Sequence, residues 1–393
     1  MRISTAMLYN NGTQGFQARA SDLLQIQNQL STGKRVVSPS DDPIAASQAL
    51  IVKQAQNVNA QWTTNRGTAK DALGTIDTTL SSVSDLISYI KERAVQAGNG
   101  SLNSTDLKSI ATDLRARYDQ MMGLANTSDP EGGYLFAGYR TNTQPFVGSV
   151  SAGTSYVGDQ GSRSIQVSDS RIVPTSNAGS DVFMNIAGVN GNFTTSAAST
   201  NTGQASITAG SVTGAYTGDN YKINFTSATT YDIVDSTSGS TVSTGNAYSS
   251  GTQISFGGVQ VSVQGTPAAG DSFDLAQGGS TDVFSTIQDL ITSLENDSGA
   301  ALTTKVNQAM DRLDKSLDNV LRVRASVGSR INEVQSLDSM GSQADIQYQS
   351  TISRLIDLDY AQASSTLAQK QTALQASQQA FVQTTGLSLF KYL

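Results

Sequence analysis

The sequence predicts an α+β protein, a discontinuous helical rod made of a terminal coiled coil and a helical bundle, with an inserted antiparallel β domain. Apolar residues recur at helical spacing before about residue 142 and after about residue 282. Residues 143–281 instead contain 20 of the 35 glycines, with eight acidic residues against three basic ones. A glycine-rich middle between two helical arms indicates a β domain inserted into a helical scaffold. We therefore expect three domains: a terminal helical assembly domain (1–42 and 346–393), a helical bundle (43–142 and 282–345) and an outer β domain (143–281).

The N-terminal arm contains the clearest helical pattern, which predicts a long helix from about residue 57 to 97. A second helix is expected over residues 104–125, with Ser104 as its N-cap. Asn99 and Gly100 form the break between the two, so we expect an antiparallel helical hairpin. The first of these helices carries a heptad stripe, typical of a helix that buries one narrow face, at Leu73, Ile76, Leu80, Val83, Ile87, Ile90, Ala94 and Ala97.

In the middle zone, short runs alternate between apolar and polar residues, as half-buried antiparallel strands do. The low apolar content of residues 194–218 does not support any assignment of regular structure there. The four alternating runs are 164–167, 221–225, 231–234 and 259–263.

Apolar residues recur at helical spacing again after residue 282. This pattern predicts a short helix over 283–294 and a turn at 296–299. A longer stripe, from Val306 to Val334, predicts a second long helix beyond that turn.

Both chain ends carry a thin apolar seam with heptad spacing, interrupted by the polar Gln27 in the N-terminal part. A narrow stripe buries little area at about 25 cal/mol per Å², whereas ordering the backbone costs roughly 1–2 kcal/mol per residue. We therefore expect the terminal segments to be poorly ordered in the monomer and to order on assembly; the alternative is a stable intramolecular coiled coil. The terminal seam, as we name it, consists of Phe16, Leu23, Leu30, Tyr360, Leu367, Leu374 and Phe381.

Composition favours a structural or binding protein over an enzyme. The chain has no Cys and no His, which removes thiolate and imidazole metal ligands, thiol nucleophiles and Ser-His-Asp triads. We expect no catalytic residue, no cofactor and no metal site. A net charge of −7 argues against nucleic acid as a partner. No apolar run is long enough to predict membrane insertion, and the start of the chain shows no cleaved signal peptide.

Three polar or aromatic segments have competing interpretations. Asp41-Asp42-Pro43 reads better as a helix start than as a carboxylate site. Lys34-Arg35 follows a helix stop at Gly33 and is either a loop or a packing contact. Residues 131–146 contain four aromatic residues interspersed with glycines, which predicts a β-hairpin that seals the helical domain. A carbohydrate- or base-stacking site is the alternative.

Several segments resemble the flagellin-like axial proteins of bacterial flagella. They are residues 30–36 and 40–43 near the start, 324–330, and then 359–363 and 367–376. Within that group the chain looks most like the hook-associated protein 3 family, because of residues 133–138 leading to Pro145-Phe146, 265–273 and the ending 386–393. Lys391 departs from the acidic residue more usual in the family.

The resemblance implies a structural role: a self-assembled ring of subunits that joins the hook, through hook-associated protein 1, to the flagellin filament. It also implies an extracellular location at the hook–filament junction. Export would proceed without a cleaved signal peptide, guided by a cytosolic flagellar export chaperone. Filament flagellin is the nearest alternative, and a secreted glycan-binding adhesin or carboxylate-dependent enzyme is a more distant one.

Overall fold

A computed structural model of the chain describes residues 5–100, 102–129, 132–186, 193–198 and 200–386. The α+β class is confirmed, with antiparallel strands inserted between two helical arms. The described residues divide into two compact units, one drawn from 1–64 and 336–393 and the other from 65–335. The three-domain division above stays a prediction, and residues 387–393 of the matched ending lie outside the described residues. The helices are α1 Thr5–Thr32, α2 Pro43–Ala97, α3 Ser104–Ala125, α4 Val283–Asn296, α5 Gly299–Ile356 and α6 Tyr360–Gly386.

The described strands form two hairpins and two larger antiparallel sheets. The hairpins are β1–β2 and β3–β4; the larger sheets have the orders β10-β9-β8-β13-β5 and β11-β12-β6, with β7 also paired to β12. The strands are β1 Phe146–Ser149, β2 Gly153–Tyr156, β3 Ser164–Ser168, β4 Arg171–Pro174, β5 Phe193–Ala197, β6 Gln204–Ile207, β7 Ser211–Val212, β8 Tyr221–Ser227, β9 Thr230–Asp235, β10 Thr241–Ala247, β11 Gln253–Phe256, β12 Val259–Thr266 and β13 Ser272–Gln277.

The heptad stripe of α2 is buried as predicted: all eight of its residues from Leu73 to Ala97 are at most 2% exposed. The predicted start at residue 57 is wrong, because α2 already begins at Pro43. Ile44, Leu50 and Ile51 in its early turns are about 70% exposed. Their side chains lie off the buried stripe, so the periodic pattern fades although the helix continues.

Helix α3 has the predicted bounds but a different cap. Asn103, not Ser104, is the N-cap: its side chain accepts from the backbone N–H groups of Thr105 (2.8 Å) and Asp106 (3.0 Å). Asp106 completes a capping box by accepting from the Asn103 N–H at 3.2 Å. The predicted hairpin forms, since Tyr89 of α2 donates to Asp113 of α3 at 2.9 Å across the break.

Replacing Asn103 with alanine is expected to lower the free energy of unfolding of residues 65–335 by about 1 kcal/mol, because two N–H groups lose their acceptor. Thermal or urea denaturation of the purified chain measures this. Ser104→Ala is the matched control, since Ser104 is already inside the helix. Equal losses in the two variants would contradict the assignment of the cap to Asn103.

The two larger sheets share one core, and the four predicted strands lie within β3, β8, β9 and β12. The segment 194–218, to which the sequence assigned no regular structure, contains most of β5 and all of β6 and β7. Its few apolar side chains point into the shared core, as Ala205 (4% exposed) and Ile207 (2%) do. β6 pairs with β12 and β5 pairs with β13, and these pairings order strands that the local composition does not predict.

Aromatic side chains fill a second core where the insertion leaves the helices. Phe136 and Phe146 are fully buried, with Phe183 and Phe284 as ring neighbours. The sealing role predicted for this segment is confirmed, but its described part forms turns with one isolated bridge, between Ser128 and Tyr134, rather than a β-hairpin.

Candidate assembly surface

The loop after α1 begins at Gly33, whose φ of +69° lies in the left-handed region that favours glycine. The predicted helix stop is therefore confirmed. The Gly33 carbonyl accepts from the Leu358 N–H at 3.0 Å, so this turn is joined directly to the segment between α5 and α6. A side chain at Gly33 would lie 2.8 Å from the hydroxyl of Tyr360.

Lys34 and Arg35 make a packing contact, which decides between the two interpretations of the sequence. Lys34 forms an antiparallel bridge with Asp357. The Arg35 N–H donates to the Ile356 carbonyl at 2.7 Å, and its Nη2 donates to the Leu355 carbonyl at 2.6 Å. The guanidinium thus binds one of the last carbonyls of α5, where a cation also suits the helix dipole. Two segments more than 300 residues apart meet here.

Asp41 organises the rest of the loop through its carboxylate. Its Oδ2 accepts from the backbone N–H groups of Val37 at 3.0 Å and Ser38 at 2.8 Å. Gln25 of α1 donates to its other oxygen at 3.1 Å. These bonds, that from Ser38 foremost, lower the pKa of Asp41 because they favour the charged form.

Asp42 precedes the first residue of α2, so the predicted helix start at Asp42-Pro43 is confirmed. Its carboxylate accepts from the Ala45 N–H at 3.0 Å and pairs with Arg35 at 3.0 Å. The backbone bond from Ala45, followed by the pair with Arg35, lowers the pKa of Asp42. At the other side of the junction Asp359 accepts from the N–H groups of Ala361 and Gln362 at the start of α6.

We call this arrangement, residues 33–45 with residues 355–362, the terminal junction. The sequence segments that carried the family resemblance at both chain ends meet in it. Its carboxylates are used for capping and pairing, and within the described ranges no group of three or more acidic side chains is placed to hold a metal ion.

Helices α1 and α6 pack against each other, and the terminal seam lies along them. Phe381 packs over Gly12, and its ring centroid lies 5.5 Å from that of Tyr9. Lys370 of α6 also pairs with Asp22 of α1. Leu23, Leu30, Leu367, Leu374 and Phe381 are half-buried, whereas Phe16 (36%) and Tyr360 (56%) are exposed.

Ile26 was not among the predicted seam residues, yet at 9% exposure it is the most buried described side chain of α1. Ile26 lies three residues after Leu23 and four before Leu30, a helical spacing that could have identified it. The heptad register instead assigned this turn to Gln27. On α6 the corresponding buried residue is Ala363, at 3% exposure.

The unit formed by residues 1–64 and 336–393 leaves many large apolar side chains in water. Ile44, Leu50, Ile51 and Ile346 are about 70% exposed. These side chains are available for contact with other molecules. Within the described residues no helix is long and apolar enough to span a membrane. The other exposed members are Met7, Tyr9, Phe16, Leu24, Val37, Val58, Met340, Tyr360 and Val382.

Comparison with known proteins places these features in one family. Residues 3–141 match the N-terminal helical region of bacterial flagellins. The chain is 34% identical over 391 residues to flagellar hook-associated protein 3 of Escherichia coli K12, covering 100% of this chain and 99% of the relative.

Solved structures agree with this similarity. The flagellar junction protein FlgL of Legionella pneumophila superposes with a TM-score of 0.71 at 30% identity, over 79% of this chain and 100% of that one. FlgL of Xanthomonas campestris does so with a TM-score of 0.71 at 31% identity, over 77% of this chain and 99% of that one.

Flagellins are more distant, because a Salmonella flagellin matches 33% of the chain at 28% identity. The filament-flagellin alternative is therefore less supported than the hook-associated one. With full-length identity above 30%, the chain belongs to the flagellar hook-associated protein 3 family.

Proposed function

We propose that the protein is a structural subunit that joins the flagellar hook, through hook-associated protein 1, to the flagellin filament. The observation that carries this proposal is the number of large apolar side chains that residues 1–64 and 336–393 leave exposed, which would be available to pack against neighbours. The structurally similar Legionella protein is a flagellar junction protein, and the E. coli relative is similar along its whole length.

Copies of the chain would form a ring, with the terminal seam and the terminal junction ordering the two chain ends within each copy and the exposed apolar side chains of residues 1–64 and 336–393 contacting neighbours. Residues 43–142 and 282–345 would form the helical bundle, and residues 143–281 would form the outer β domain. This role is mechanical, so we assign no enzymatic activity, catalytic residue or cofactor. The protein would be extracellular, having been exported without a cleaved signal peptide with the help of a cytosolic chaperone.

Deletion of the gene tests the proposal directly. We expect cells with hooks but without attached filaments, and flagellin released into the medium. Electron microscopy of the cells and quantitation of flagellin in the culture supernatant measure the two effects. Attached filaments of normal length in the deletion strain would refute the junction role. Long filaments built from this chain alone would instead support the flagellin alternative.

Acid is expected to weaken the terminal junction through Asp42. A carboxyl whose pKa is lowered by folding contributes stability that is complete above the pKa of the unfolded chain and is lost as the pH falls through the folded value. For Asp42 the cause is the Ala45 N–H and the Arg35 pair. Isolated flagella should therefore lose filaments progressively as the pH falls below the ordinary aspartate range.

Asp42→Asn isolates this contribution. Asparagine still caps α2 but carries no charge to titrate. Near neutral pH this variant should therefore retain fewer filaments than the wild type, and its retention should fall less as the pH is lowered. Asp169→Asn, an exposed site on the β insertion, is the control and should behave as the wild type. Identical acid profiles for wild type and Asp42→Asn would contradict the role of this pair.

A further inference from the structure

Arg330 in α5 is held by neutral acceptors alone. Its Nη1 donates to the Pro174 carbonyl at 2.9 Å, its Nη2 to Asn177 Oδ1 at 2.8 Å, and its Nε to the Ser326 carbonyl at 3.3 Å. Three of the five N–H donors of the guanidinium are thereby used. None of the ion pairs found among the described residues includes Arg330, whereas Arg324, six residues earlier in the same helix, pairs with Asp77 at 2.8 Å.

The guanidinium is half-buried and borders an open cavity of about 290 Å³. Ser162, Ser176 and Asn177 also line this cavity, and the exposed Asp181 lies on it without pairing with Arg330. Burial lowers the pKa of Arg330, and no charged neighbour contributes to the shift. The cation is therefore partly desolvated without a compensating carboxylate from the residues that the structure describes.

A partly desolvated charge is usually paired, because removal from water costs free energy that only a counter-charge or strong hydrogen bonds offset. Arg330 is also fixed in position by its three hydrogen bonds, so it would lose little side-chain entropy on binding an anion. The planar guanidinium with two N–H groups left over is suited to a carboxylate.

We propose that Arg330 binds a carboxylate from a second copy of this chain in the assembled ring. The proposal rests on the proposed function, which supplies adjacent copies. Charge complementarity favours this occupant: the chain carries 32 acidic against 25 basic residues, so a neighbouring copy brings an excess of carboxylates to a cation that lacks one.

Filament retention in isolated flagella tests the proposal. Arg330→Gln should lose filaments at least about thirtyfold faster than wild type, the low end for removing one partner of a desolvated charge pair. Arg330→Lys keeps the charge and should lose them more slowly than Arg330→Gln. Asp181→Asn is the matched control: it removes a carboxylate that would repel the incoming one, so retention should be unchanged or improved. Wild-type retention in Arg330→Gln would overturn the proposal.

The purified monomer separates this role from a purely structural one. Because Arg330 has no ionic partner in the single chain, Arg330→Gln should leave the melting temperature within a few degrees of wild type. A large fall, sufficient to explain filament loss through unfolding, would overturn the proposal. If the deletion strain keeps its filaments, the proposed function itself fails, a result distinguishable from wild-type behaviour of Arg330→Gln alone.

The identity of the occupant is tested by cross-linking. Since the chain has no native Cys, Gln160→Cys places a single thiol on the rim of the cavity. Labelled with a maleimide photocross-linker and assembled into flagella, it should form an adduct of two copies of this chain. An adduct with a different protein, or no same-chain adduct, would overturn the assignment of a second copy as the occupant.

Discussion

Replacing Phe146 with alanine is expected to lower the free energy of unfolding of residues 65–335 by about 3–5 kcal/mol, as usual for a buried phenylalanine. Phe146 is fully buried at the first strand of the insertion. Its ring centroid lies 5.1 Å from that of Tyr156 and 5.3 Å from those of Phe183 and Phe284. These rings come from separate segments of the chain, so the cavity would weaken several contacts between elements at once.

Urea denaturation of the purified chain, followed by circular dichroism, measures this loss. Tyr139→Ala is the control from the same aromatic segment, and because Tyr139 is 67% exposed it should change the free energy of unfolding by less than about 1 kcal/mol. A loss below about 1 kcal/mol in Phe146→Ala, as expected for the control, would show that Phe146 is not part of a shared core.

Local periodicity predicted much of the fold because burial on one helix face leaves a pattern readable within a single segment. The stripe of α2 from Leu73 to Ala97 is the clearest example, and the alternation in β8 and β12 is another. The same reasoning missed β6 and β7, whose order depends on pairing with β12. Pairing between distant strands leaves little trace in a segment of low apolar content.

The local turns and helix ends of the terminal junction could be predicted from the sequence. The contacts that bring its two segments together could not. Gly33, Asp42 and Pro43 could be assigned to a helix stop and a helix start because these signals are local. The bridge between Lys34 and Asp357 could not, since no sequence spacing relates residues so far apart. Ile26 was missed because a strict heptad register follows an average spacing, whereas contact between α1 and α6 selects individual side chains.

Replacing Leu374 with aspartate is expected to abolish filament retention, as deletion of the whole gene should. Leu374 is half-buried along α6, where the helix packs against α1. A carboxylate there would lose part of its hydration, because Lys370 one turn earlier is already paired with Asp22, and the packing of the leucine side chain would be lost as well. Together these effects should weaken the terminal seam by at least about 2 kcal/mol in each subunit. Flagellin in the culture supernatant and filament counts by electron microscopy measure the outcome.

Gln375→Asp is the matched control because it adds the same charge one residue later, at an exposed position of α6. It should retain filaments, since a solvated carboxylate has little effect on packing. The seam has few apolar contacts, so losing one of them matters, and a ring repeats the same loss in every subunit. Loss of filaments in both variants would point to net charge rather than packing, and retention in both would remove Leu374 from the assembly surface.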